Sequence, residues 1–133
     1  EYLDALARNY RAGKAELVVD VKRTVSAVLD YMTALFVEKD ELLRAQGNMV
    51  LYYLLCKSAI QADATAQISR ERLYAFRDQV RDNRIRAEEN YADASFELLE
   101  FDRLSQQGTN DSSNIRERLS VIARFMNVPP MAI

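Results

Sequence analysis

Six arginines crowd one short stretch of this chain, Arg70, Arg72, Arg77, Arg81, Arg84 and Arg86, with only Glu71, Asp78 and Asp82 to offset them. Arg70, Arg77 and Arg84 recur at intervals of seven, with Arg81 beside them, which on a helix makes a stripe able to meet phosphates or carboxylates. Tyr74 and Phe76 could add base stacking if the partner were a single-stranded nucleic acid. The plainer role is a solvated helix face with local pairs such as Asp82 with Arg86 and Arg84 with Glu88, each worth about 0.3 kcal/mol. From Glu88 to Asp102 the charge inverts, with six acidic residues and no basic one. A helix that is basic in one half and acidic in the other can pair antiparallel with a copy of itself. Arg77, Arg81 and Arg84 of one chain would then face Glu88, Glu97 and Glu100 of another.

The parts that covalent catalysis needs are missing. Histidine is absent and Cys56, the one cysteine, ends the apolar run Met49 to Cys56, so an internal disulfide and the usual Cys/His zinc sites are excluded. No Gly-rich phosphate loop occurs. Carboxylates gather at Glu38, Asp40 and Glu41 and again at Glu97 and Glu100, in the ordinary pattern of solvated helix faces. No catalytic residue, metal ligand or cofactor is therefore expected, and the chain reads as non-enzymatic. A net charge of -2 disfavours bulk affinity for nucleic acid, leaving nucleic-acid binding through the Arg70 to Arg86 stripe as the lesser reading.

The elements that position these residues are helices. Only three Gly and two Pro occur in 133 residues, and a 49% hydrophobic content suffices for a core, so the expectation is one all-α domain over residues 1–133. Between Ile68 and Ser105 neither Gly nor Pro interrupts, and Leu73, Phe76, Val80, Arg84, Ala87, Tyr91, Ala94, Leu98, Phe101 and Ser105 follow spacings of three and four. A helix over 66–106 is predicted, roughly 60 Å long. Val21, Val25, Val28, Met32, Leu35, Leu42, Met49, Tyr53, Cys56 and Ile60 give the same rhythm over 15–62. Because that rhythm passes Gly47 in register, a continuous or mildly kinked helix is favoured there over a tight turn. Gln61 to Gln67 is the expected reversal, with Asp63 and Thr65 as caps, giving a long antiparallel, coiled-coil-like hairpin.

Shorter helices complete the prediction, over 2–12, weakened or ended by Gly13, and over 114–126, after a loop at 107–113. Asn114 and Glu117 have capping-box spacing, and Asn127 can take a left-handed cap before Pro129 and Pro130. Beside the first long seam run Leu29, Phe36, Leu43 and Val50, an apolar strip wider than a two-stranded pairing uses. That strip calls for cover, and the expected role is an assembly or interaction module, a homo-oligomer or a subunit of a larger complex. No run is long and apolar enough to span a bilayer and no leader pattern is visible, so a soluble, cytoplasmic protein is favoured; a chain beginning at Glu1 leaves a removed leader open.

Two segments resemble known families. Leu119, Ile122, Ala123, Asn127, Val128 and Ile133 resemble the first helix and turn of a helix-turn-helix, which would imply DNA binding, but the chain ends where a recognition helix would begin. Asn90-Tyr91-Ala92-Asp93-Ala94 with Leu98 to Gly108, and Tyr10 to Gly13 with Val19-Asp20-Val21, resemble the helical hairpins of TolC-type outer-membrane efflux ducts. That likeness would imply a secretion or efflux duct. It departs from the family in lacking a second repeat and strands for a barrel.

Overall fold

A computed structural model describes residues 2–44, 47–107 and 111–129, with side chains in the first helix at residues 5, 8 and 17 onward. Every regular element among the described residues is helical. The helices are α1 (Tyr2–Leu35), α2 (Asn48–Gln61), α3 (Arg70–Glu89), α4 (Phe96–Gln106) and α5 (Ser112–Met126).

The predicted 15–62 helix is two helices, and α1 runs through Gly13 without a break. What divides them is a corner at 36–47. Lys39 takes a left-handed φ of 55°, and the Asp40 carboxylate accepts the Val37 and Leu42 amides at 3.0 and 3.1 Å. A single 3-10 turn, Glu41–Leu43, follows. Gly47, at φ 83°, stands in the left-handed region as the residue before α2, so the rhythm passing through it concealed a true boundary. The predicted 66–106 helix is divided as well. Asn90 accepts the Ala92 amide, Ser95 accepts the Leu98 amide, and a 3-10 turn at Tyr91–Asp93 lies between them. The helix does break after Gln61, but the cap of α3 is Ser69, not Asp63 or Thr65. For α5 the cap is Asp111, and Asn114 instead lies buried, donating to the Leu104 carbonyl. Asn127 takes the predicted left-handed position, at φ 58°. Of the expected 107–113 loop, residues 108–110 lie outside the described residues, as does the segment from Pro130, while Ser112 and Ser113 already belong to α5.

The expected hairpin of two long arms is consequently replaced by short antiparallel pairs. Phe36 lies against Tyr52 with ring centroids 5.4 Å apart, while Tyr31, further back on α1, donates to the Thr65 carbonyl at 3.0 Å. Phe76 meets Phe101 edge-on at 4.8 Å, and Asn83 is joined to Ser95, so α4 returns along α3. Asn114 to Leu104 and Arg124 to Glu97 set α5 antiparallel to α4. α5 is the hub, packing on α2, α4 and α3. Among the described residues, the apolar ones with 0% exposed surface all come from α2 and α5: Leu51, Leu55, Ala59, Ile122, Ala123 and Met126.

The two glycines should therefore respond oppositely to alanine. Gly47→Ala puts a Cβ on a left-handed residue and should cost about 1 kcal/mol, whereas Gly13→Ala, inside α1, should be neutral or stabilising by up to about 1 kcal/mol. Urea unfolding of the two variants measures both.

Candidate functional site

The residues singled out by charge and strip patterning are not gathered in one place. Phe36 is buried and Leu43 half-buried within the chain, while Leu29 and Val50 stay exposed, so the middle of that strip is covered by the chain itself. Arg84 was expected in the α3 seam and is exposed instead. The inward stripe of α3 runs Leu73, Phe76, Val80, Asn83, and Asn83 takes the last place because its amide closes the α3–α4 turn. Its Nδ2 donates to the Ser95 carbonyl at 3.0 Å and its Oδ1 accepts the Ser95 amide at 2.7 Å.

Most of the arginine stripe has partners inside the chain. Arg70 forms a two-pronged pair with the fully enclosed Asp40 carboxylate and, with Arg77, flanks the Tyr74 ring. Arg72 donates to the Phe125 and Met126 carbonyls at 3.2 and 3.4 Å, where the α5 C-terminus concentrates negative charge. Arg77 reaches Glu41 at 3.7 Å, Arg81 reaches Asp78 and Asp82 at 3.5 and 3.6 Å, and Arg84 reaches Asp102 at 3.4 Å. Of the acidic set, Glu97 pairs with Arg124 and Glu100 with Arg103, while Glu88 is exposed near the end of α3. Apart from the enclosed Arg70–Asp40 pair, the ion pairs lie at or near the surface, where solvent screens them and they can exchange for an outside partner.

Two features rise above that background. The first is α1, which is 34 residues long and so spans about 51 Å, against about 21 Å for the 14 residues of α2. Its apolar stripe is continuous along Val18, Val21, Val25, Val28 and Met32, in steps of three and four. Val28 and Met32 are buried and Val25 half-buried, but all described side chains from Leu17 to Arg23 are exposed, with Leu17 at 63% and Val21 at 54%. The stripe thus runs on past the cover that this chain provides.

The second is a groove of about 540 Å³ between the 41–44 turn, the start of α2, α3 and α4. Tyr52, Phe76, Val80 and Phe101 line its floor, and Arg44, Arg77, Arg81 and Arg84 its rim. Behind Asn48, Tyr52 and Phe101 lies Arg118 of α5, 1% exposed. Its Nη2 donates to Asn48 Oδ1 at 2.8 Å and its guanidinium lies 5.4 Å from the Phe101 ring centre, but its Nε is buried without a hydrogen bond. Burial holds its pKa below the ordinary arginine value. Sequence patterning passed over Arg118. Its only signal is position, three residues after Ile115 and four before Ile122 on the apolar face of α5.

For covalent chemistry the described residues offer little. Burial pushes the Cys56 thiol up to about 12, leaving it protonated at neutral pH. No helix is long and apolar enough to cross a membrane, among the described residues. No family model, curated protein or solved structure matches this chain.

The Asp40 carboxyl is held at about 2, below its ordinary 3.8, chiefly by the hydrogen bond from Arg70 and further by the Val37 and Leu42 amides, against the opposing effect of burial. A depressed carboxylate stabilises the fold above its unfolded pKa and loses that contribution as pH falls through the folded one. Asp40→Asn should therefore lower stability at pH 7 by about 2 kcal/mol and flatten its pH dependence between pH 3.8 and about 2, as read by thermal unfolding across that range.

Proposed function

We propose that this protein is a non-enzymatic helical assembly module that associates with copies of itself through the outer part of α1, either as a homo-oligomer or as a repeated subunit of a larger complex. The observation that carries this reading is the apolar stripe of α1, which packs inside the chain at Val28 and Met32 and continues, uncovered, through Val21 and Val18. A stripe of that kind is unfavourable in water and is satisfied by a second helix laid along it. A copy of the same chain supplies a matching stripe by symmetry, with no other complementary surface needed. The charges around it are mixed, with Asp20 beside Lys22 and Arg23, so neither net repulsion nor a strongly charged partner is implied. Pairing of this kind would be coiled-coil-like over the outer turns of α1 and would leave the α2–α5 body unchanged.

The long duct hairpin and the nucleic-acid stripe have less support. The first needs unbroken arms where the chain turns after Leu35 and again at 90–95, and the second needs Arg70 and Arg72, which are already engaged with Asp40 and the α5 carbonyls.

Val18→Asp with Val21→Asp should convert the associated form to a monomer in sedimentation equilibrium, with unchanged helical circular dichroism apart from the outer turns of α1. Such a change should weaken association at least about 100-fold, since two buried carboxylates would have to be desolvated. A wild-type chain that is monomeric at high concentration contradicts the proposal.

A further inference from the structure

We propose that the arginine-rimmed groove between α2, α3 and α4 is a binding site for a small organic anion, one carrying a carboxylate or phosphate head on an apolar body. The argument starts from Arg118. A guanidinium that is 1% exposed normally meets a carboxylate, because a buried charge is stabilised only by an opposite charge and a full set of hydrogen bonds. Arg118 has neither among the described residues. It makes one hydrogen bond to a side-chain amide, stands over one aromatic ring, and keeps a buried Nε unbonded. An apolar residue there would be the more stable choice for packing alone. The residues that touch Arg118, Asn48 and Phe101, also form the wall of the groove. The uncompensated charge therefore sits directly behind a cavity of ligand size.

The groove wall agrees with that charge. Arg44 lines the groove and has no carboxylate within ion-pair distance among the described residues, so one cation on the wall and one behind it, Arg118, lack an anionic partner. Arg77 reaches Glu41 in an exposed pair at 3.7 Å and Arg84 reaches the half-buried Asp102 at 3.4 Å; both carboxylates line the groove too, and an incoming oxyanion competes with them for the two guanidinium groups. The Tyr52 phenol lines the same wall without a hydrogen bond to any described residue, and is available as a donor to an anionic oxygen. Phe76, Val80 and Phe101 supply an apolar floor, which selects an anion with a hydrocarbon or aromatic body over a bare inorganic ion. The inference is independent of association through α1, since the groove lies among the 41–44 turn, α2, α3 and α4.

The test uses the full chain with phenyl phosphate and phenylacetate as anionic probes, benzyl alcohol as the neutral control and inorganic phosphate as the headgroup alone, titrated by calorimetry and by amide chemical shifts. Either anionic probe, or both, should bind with shifts at Asn48, Tyr52, Val80 and Phe101, and the neutral control should bind at least about tenfold more weakly. Arg118→Met should retain or raise the thermal midpoint of the free protein and lose about tenfold or more in affinity. Should Arg118→Met fail to fold, Arg44→Glu, on the exposed rim, carries the same expectation of weakened anion binding. Equal binding of benzyl alcohol, unchanged affinity in both variants, or no binding of either anionic probe would overturn the proposal. So would loss of self-association in Arg44→Glu with no anion binding in the wild type, which would assign the arginines to a contact between copies.

Discussion

One buried carboxylate determines how the chain folds back on itself. Asp40 has no exposed side-chain surface, and its two oxygens accept the Val37 amide, the Leu42 amide and both prongs of Arg70. Those bonds fix the corner that ends the α1 direction, turn the chain into the 41–43 segment, and tie that corner to the first residue of α3, thirty positions later. Without it the Val37 and Leu42 amides would lose their acceptor and the rhythm of the sequence would favour a straight helix. With it, α2 turns back beside α1, and its inner face, Leu51, Leu55 and Ala59, is offered to α5. The same corner supplies Leu42 to the core and Arg44 to the rim of the groove. A single ion pair thus ties the corner after α1 to the start of α3.

The division of labour that results is physical. α5 provides the greatest burial and is held at both ends, by Asp111 at its start and by Arg72 on its last carbonyls. Its cost is Arg118, a charge that the core does not neutralise. α1 has the opposite character, buried where it meets α2 and exposed from Leu17 to Arg23. Both departures from a closed globule, a charge without its opposite and a stripe without its cover, are places where an outside partner lowers the free energy.

Much of the fold was legible in the sequence because helix propensity and three-four spacing are local properties. The all-helical class, the break after Gln61, the helix containing Ile115, Leu119, Ile122 and Met126, and the left-handed Asn127 all follow from such signals. The corners were not legible, for a specific reason. At 36–47 and 90–95 the apolar spacing continues in register across the break, while the interactions that create each break are partly nonlocal, Arg70 to Asp40 in one and Asn83 to Ser95 in the other. Gly47 carried the one local warning, and its spacing masked it. In the same way Arg77 and Arg84 were visible in a stripe, whereas their partners Glu41 and Asp102 belong to other elements. Arg118 gave no signal beyond its place on an apolar face, since a lone arginine in an amphipathic helix is more often a surface residue.

The exposed continuation of the α1 stripe is the claim on which the assembly reading rests, and amide hydrogen exchange as a function of protein concentration addresses it without any substitution. Amides from Leu17 to Arg23 should exchange quickly in dilute protein and become protected as concentration rises, while those from Val28 to Leu35, already packed on α2, should not change. Protection of Leu17 to Arg23 that is the same at every concentration would show that this stretch needs no second copy, and would contradict the account.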